Sequence, residues 1–147
     1  MIQRIQTLYL FLSTLALTLT YFLPFVTIGN LELRNYHFIA PEGMESPQFI
    51  SWQSVPVGIS MLLQVVIIFS YKQRKKQIQM IRYTEILIIA TYALLALSII
   101  KVYGDYGTEF HFGLATWMLI IAMLLNQFSR RAIRRDEALV KSVDRIR

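Results

Sequence analysis

The sequence predicts an all-α integral membrane fold: four transmembrane helices, both termini cytoplasmic, and a small external cap. Three observations carry that prediction. The chain is 55% hydrophobic with a mean hydropathy of +0.47, too apolar for a soluble chain of 147 residues. Four stretches approach the ~20 helical residues needed to cross a hydrocarbon core. The basic residues are segregated along the chain. Thirteen fall in the N-terminus, the central loop and the tail, against Arg34 alone in the two other loops. That asymmetry is the positive-inside pattern of a membrane protein.

The length leaves room for one domain, residues 1–147. Its first span is expected from Ile5 to Phe25. Arg4 makes a weak basic start, yet the apolar run from Leu8 to Leu23 is long for a signal sequence and ends without a small-x-small site. A retained span is therefore expected. The second span is placed at Ser54 to Tyr71, the third at Tyr83 to Tyr103 and the fourth at Phe112 to Phe128. Each reads as apolar on every face. Between the second and third lies Lys72 to Arg82, with five basic residues and no acid, a cytoplasmic loop by its charge.

The first external loop, Gly29 to Gln53, is expected to form the cap. Val26-Thr27-Ile28 and Leu31-Glu32-Leu33 are short strand-like runs around Gly29-Asn30, a dipeptide suited to the primed turn of a β-hairpin. Tyr36, Phe38, Phe49 and Trp52 supply aromatic packing, and Pro41, Gly43 and Pro47 break the middle into turns. Gly104 to His111 is a short external connection. From Ser129 onward the chain lacks Pro and Gly, so the fourth helix is expected to continue as a basic amphipathic helix through residues 129–147. Leu139, Val143 and Ile146 share one stripe of it, and Glu137 precedes Lys141 by four residues, the favourable order for a helical ion pair.

The absence of cysteine removes disulfides, thiolate metal sites and thiol redox chemistry, including the quinone-linked thiol oxidases that share a four-helix plan. No phosphate-binding glycine loop, nucleophile elbow or H-E-x-x-H helix occurs. No catalytic residue, cofactor or metal is expected. His37 and His111, with Glu32, Asp105 and Glu109 on the same side, match no zinc spacing.

Polar residues within spans are the first candidates, because such groups are costly in hydrocarbon. Glu85 sits about one turn into the third span. An interfacial ion pair with Arg82 is its simple explanation, and a proton-coupled carboxylate the sharper one. Gln64 cannot reach the interface from the second span and is expected to bond a neighbouring helix. The first span offers it a seam of small residues four apart, Thr14 with Thr18 and Ala16 with Thr20. Asn126 and Gln127 fall at the inner boundary, as caps or anchors. Lys101 is expected to reach the outer headgroups.

The tail is the most distinctive polar stretch. Arg130, Arg131, Arg134 and Arg135 are accounted for by topology and attraction to anionic lipid. Asp136, Glu137 and Asp144 dilute that attraction, so with Lys141 and Arg145 the tail reads as a docking face or a salt-bridge ladder. It carries no aromatic residue to stack on bases, and nucleic acid is not expected.

The opening Met1-Ile2-Gln3-Arg4-Ile5-Gln6-Thr7 and the closing Ala132-Ile133-Arg134-Arg135-Asp136-Glu137-Ala138-Leu139-Val140-Lys141-Ser142-Val143-Asp144-Arg145-Ile146-Arg147 resemble a family of small bacterial four-span membrane proteins classed as a domain of unknown function. The resemblance covers the whole chain, and its specific part is the tail. It implies a bacterial cytoplasmic-membrane protein and brings no catalytic or binding residues to transfer. The functional expectation is a non-enzymatic accessory or scaffold protein. Its partners would be the bilayer with its anionic headgroups, a cytoplasmic protein, or a second copy of itself. The alternative is a subunit of a small oligomeric transporter or channel, with Gln64 and Glu85 lining its path.

Overall fold

The structure, a computed structural model, describes residues 2–34, 37–40, 42–43, 52–71, 73–103 and 109–144, the side chains of 2–4 and 141–144 excepted. Four helices form among them: α1 (Ile2–Leu19), α2 (Ser54–Phe69), α3 (Arg74–Val102) and α4 (Leu114–Asp144). Four short strands join them: β1 (Val26–Ile28), β2 (Leu31–Arg34), β3 (His37–Ile39) and β4 (Phe110–Phe112).

Stripes of small and polar residues set the inward faces of the helices. On α3 the buried positions are Gln77, Ile81, Thr84, Ile88, Thr91, Leu95, Ser98 and Val102, a strict alternation of four- and three-residue steps. That heptad period keeps one seam facing its neighbours along the whole helix. Every other step places a hydroxyl or amide there, the hydroxyls satisfied within α3 and the amide across to α2. The hydroxyls of Thr84, Thr91 and Ser98 bond the carbonyl four residues back, and Gln77 donates to Ile67 O at 3.1 Å. α1 buries Ser13, Ala16 and Leu17, with Thr20 buried just past its end, and α2 buries Val57, Ser60, Gln64 and Ile67. The opposite faces are apolar and exposed: Phe11, Leu15 and Phe22, Leu62 and Phe69, Ile86, Ile89 and Ile100, Trp117 and Leu124. Over most of the helical length the small and polar residues lie inside among apolar ones, and the outside is apolar.

Cross-helix contacts fix an antiparallel sequence around the bundle. Tyr21 OH reaches Ser54 O at 3.0 Å, Gln77 reaches Ile67, Tyr92 OH reaches Thr116 O at 2.7 Å, and Ser13 meets Asn126. One end is closed by the sheet, in the order β3-β2-β1-β4, all antiparallel. β1 and β2 form a hairpin around Gly29, whose φ of 55° lies where glycine is at ease, with Val26 opposite Leu33 and Ile28 opposite Leu31. The sheet buries Val26, Ile28, Leu31, Leu33 and Phe38 in one core with Leu17, Val57, Ile88, Leu95 and Leu119. Its tie to α4 is a close crossing. Gly113 N–H donates to Phe25 O at 2.9 Å, Ala115 N–H to Pro24 O at 3.1 Å, and Thr116 Oγ1 to Phe25 O at 2.6 Å. A Cβ on Gly113 would collide with Pro24 O. The other end has a smaller core of Leu10, Ile67, Ile81 and Ile133.

This architecture corrects the all-α, four-transmembrane-helix expectation. The fold includes a four-stranded antiparallel sheet. Among the described residues one helix, Arg74–Val102, is long and apolar enough to cross a membrane. The apolar helices Ile5–Leu19 and Ser54–Phe69 are shorter. The cause is local. Residues past Leu19, assigned by sequence to the first span, turn out of the helix and feed β1. Phe112, the expected start of the fourth span, is a strand residue in β4. The apolar part of α4 meets Arg130 and Arg131 before it reaches spanning length. Tyr36, Phe49, Pro41, Pro47 and Asp105 lie outside the described residues.

Candidate functional site

Two polar constellations are built into the bundle. The first lies deep inside it, where α1, α2 and α4 meet. Gln64 Nε2 donates to Ser13 Oγ at 2.8 Å and to Asn126 Oδ1 at 2.6 Å. Ser13 Oγ lies 2.9 Å from Asn126 Oδ1 and 3.2 Å from Ala122 O, either of which accepts its proton. All three side chains are fully buried. Gln64 Oε1 and Asn126 Nδ2 have no partner among the described residues. Each helix brings one polar side chain to one point in an otherwise apolar interior, where a hydrogen bond is worth more than at a wet surface.

Gln64 therefore bonds neighbouring helices, as its position demands, but its partner on α1 is Ser13. Of the expected seam, Ala16 and Thr20 are buried, while Thr14 and Thr18 turn their hydroxyls back to Leu10 O and Thr14 O of their own helix. Asn126, assigned by sequence to a boundary, is a member of the buried triad. The signal for Ser13 was present in the chain: Ser13, Ala16, Leu17 and Thr20 lie at helical spacing on one face.

The second constellation occupies the end opposite the sheet. α4 is continuous through Asp144, so the basic segment is a rigid extension of the bundle. Ile133 is fully buried against Leu10, Ile67 and Ile81. Asp136 pairs with Arg74 of α3 at 2.8 Å, and Arg130 pairs with Glu85 at 3.0 Å while also donating to Gln127. The partner of Glu85 is thus Arg130 of α4, where Arg82 on its own helix was expected. Both pairs are mostly shielded from solvent. Two of the tail's charges are spent in holding α4 against α3.

The remaining arginines of this segment face outward. Arg131, Arg134 and Arg135 are exposed. Arg131 and Arg135 overhang a groove of about 510 Å³ between α1 and α4, floored by Ile5, Tyr9, Phe128 and Leu139. The rings of Tyr9 and Phe128 lie 5.9 Å apart across it. Neither this groove nor its floor was legible as a unit, because its walls come from opposite ends of the chain. The side chain of Lys141 and all of Arg145 lie outside the described residues.

The histidines do not converge. His37 lies on β3 and His111 on β4, at opposite edges of the sheet and separated by two strands. At about 4.8 Å per strand step they cannot share one ion.

The chain belongs to the DUF4293 family, described as a domain of unknown function, whose family model matches residues 2–146. No curated protein matches it.

Proposed function

We propose that this member of the DUF4293 family is a non-enzymatic accessory protein of the bacterial cytoplasmic membrane. Its apolar exterior lies in lipid, and its basic end meets the anionic headgroups of the cytoplasmic leaflet. The inverted distribution of polarity carries the reading. Leu62, Phe69, Ile100 and Phe22 are each at least 70% exposed, while Ser13, Ser60, Gln64, Thr91 and Asn126 are fully buried. Water would penalise that arrangement heavily, and hydrocarbon rewards it. α3 supports the same reading. Only 28% of its most apolar window is buried, so it is not the sheathed core helix of a water-soluble fold. At ~1.5 Å per residue its 29 residues extend about 43 Å. That length exceeds the hydrocarbon layer and lets Arg74, Lys75 and Lys76 emerge from it. An accessory role follows from where the polar groups are spent. Those of the triad and of Gln77 hold helix to helix, and most of the exposed basic residues gather on one outer end.

The cysteine-free chain permits a direct test. Single cysteines at exposed positions, His111→Cys on the sheet and Arg134→Cys on the basic end, are probed with an impermeant thiol reagent. The expected result is a carbonate-resistant membrane protein labelled from outside at 111 and only after permeabilisation at 134. Release by carbonate, or labelling of both positions from the same side, overturns the reading.

A further inference from the structure

The groove between the start of α1 and the end of α4 combines two chemistries. Its rim is cationic. Arg131 and Arg135 are one helical turn apart on α4, a spacing that puts their side chains side by side. Its floor is apolar and aromatic, from Ile5, Tyr9, Phe128 and Leu139. The volume of about 510 Å³ falls within the ~300–1,000 Å³ of small-ligand sites. Asp136 of α4 is engaged with Arg74, and among the described residues no acid lines the groove.

We propose that this groove holds one anionic phospholipid from the surrounding bilayer, its phosphate clasped by Arg131 and Arg135 and the start of an acyl chain laid along Tyr9 and Phe128. Guanidinium groups present planar pairs of donors that match phosphate oxygens, and two of them one turn apart can hold a single phosphodiester from both sides. A purely electrostatic attraction would need no floor, and an apolar ligand would need no arginines. An amphiphile with an anionic head uses both. The geometry also gives the site a purpose. The lipid would bridge α1 and α4 at the end where the hydrogen bond from Ser129 Oγ to Gln6 O is long at 3.5 Å. The inference rests on the membrane reading above and adds to it a single-lipid site, distinct from diffuse attraction to a charged leaflet.

The test is native mass spectrometry of the full-length protein released from neutral detergent. Added dioleoyl phosphatidylglycerol is compared with dioleoyl phosphatidylcholine, which carries the same chains on a neutral head. The wild type is expected to retain one phosphatidylglycerol per chain and to release phosphatidylcholine. The pair Arg131→Gln and Arg135→Gln should lower phosphatidylglycerol retention roughly tenfold or more, the loss of two charge-assisted contacts. The pair Lys76→Gln and Arg134→Gln, which removes the same charge from exposed positions outside the groove, should change it less than about twofold. Equal loss in both pairs, or equal retention of the two lipids by the wild type, overturns the proposal and needs no variant in the second case. Displacement of bound lipid by an equal concentration of inorganic phosphate would also overturn it, as the groove would then be an anion site without use for the chain. Carbonate extraction of the same samples separates the two levels. A wild type that resists extraction and shows no preference for the anionic lipid loses the groove and keeps the membrane reading, whereas a wild type that washes off loses both.

Discussion

The triad of Ser13, Gln64 and Asn126 allows a quantitative prediction, because it is small, closed and made by three different helices. Gln64→Met keeps the side-chain length and removes the two bonds donated to Ser13 and Asn126. It also removes Oε1, which is buried without a partner among the described residues, so part of the loss is returned. An interhelical hydrogen bond in a membrane protein contributes about 0.6 kcal/mol on average and up to about 1.7. The single change should therefore cost about 1 kcal/mol. Asn126→Leu removes the shared acceptor of Gln64 and Ser13 and strands one Gln64 N–H in an apolar interior. A buried unsatisfied donor adds about 1–3 kcal/mol, and the total should reach about 2 kcal/mol. In the double variant nothing polar remains to be stranded, since Ser13 can still bond Ala122 O. The double should then be no worse than Asn126→Leu alone, giving a coupling of about 1 kcal/mol. Unfolding by dodecyl sulfate in mixed micelles, followed by helical circular dichroism, measures all four corners of the cycle. Additive costs would mean that the Gln64–Asn126 contact of 2.6 Å contributes nothing of its own, and the account of the triad as helix glue would fail.

Other contacts make sharper or blunter predictions by the same assay. Gly113→Ala should destabilise by about 1–3 kcal/mol, because its Cβ has only the Pro24 carbonyl to move into, and backbone cannot yield as a flexible side chain does. Gly43→Ala meets no atom within 4 Å among the described residues, so the cost expected there is that of its φ of +91°. Asp136→Arg and Arg74→Asp should each weaken the α3–α4 junction by about 1–3 kcal/mol, and the double swap should restore at least half the loss. Arg130→Met, which leaves the Glu85 carboxylate shielded without its cation, should cost more than Glu85→Gln, which keeps a neutral acceptor for Arg130. A reversed order would mean that Arg130 is the group in need of a partner. Glu32→Gln, which breaks only the exposed pair with Arg34, should change stability by less than about 0.5 kcal/mol.

How much of this was readable in the chain depends on which side of the helix carried the information. Hydrophobic periodicity is blind here, since residues such as Leu62, Ile86 and Ile89 face outward and others such as Ile67 and Ile88 face inward. The informative period belongs to the minority residues. Thr84, Thr91 and Ser98 recur at sevens along α3, with Ile81, Ile88 and Leu95 between them, and that alternation identifies the inner face. The lengths of the helices were overestimated for a different reason. Tyr21 to Phe25 is as apolar as the helix before it, so hydropathy alone runs on through it, while Pro24 and the pairing of β1 with both β2 and β4 take the chain out of the helix. The turn at Gly29-Asn30 announces the first pairing. Nothing near Phe110-His111-Phe112 announces the second, because its partner lies more than eighty residues earlier and supplies the register.

The basic segment shows the same division between local and distant information. Its charge was evident from Arg130 to Arg135, and so was its helical character. What composition could not separate was which of those charges remain available. Arg130 and Asp136 belong to α3, through Glu85 and Arg74, and Ile133 belongs to the core. Removing the segment at Arg130 would therefore delete a buried isoleucine and an ion pair together with the exposed arginines. A phenotype from that truncation could not be assigned to docking. Substitutions confined to Arg131, Arg134 and Arg135 leave the core and both ion pairs in place, so only they can separate what this end holds together from what it presents to a membrane.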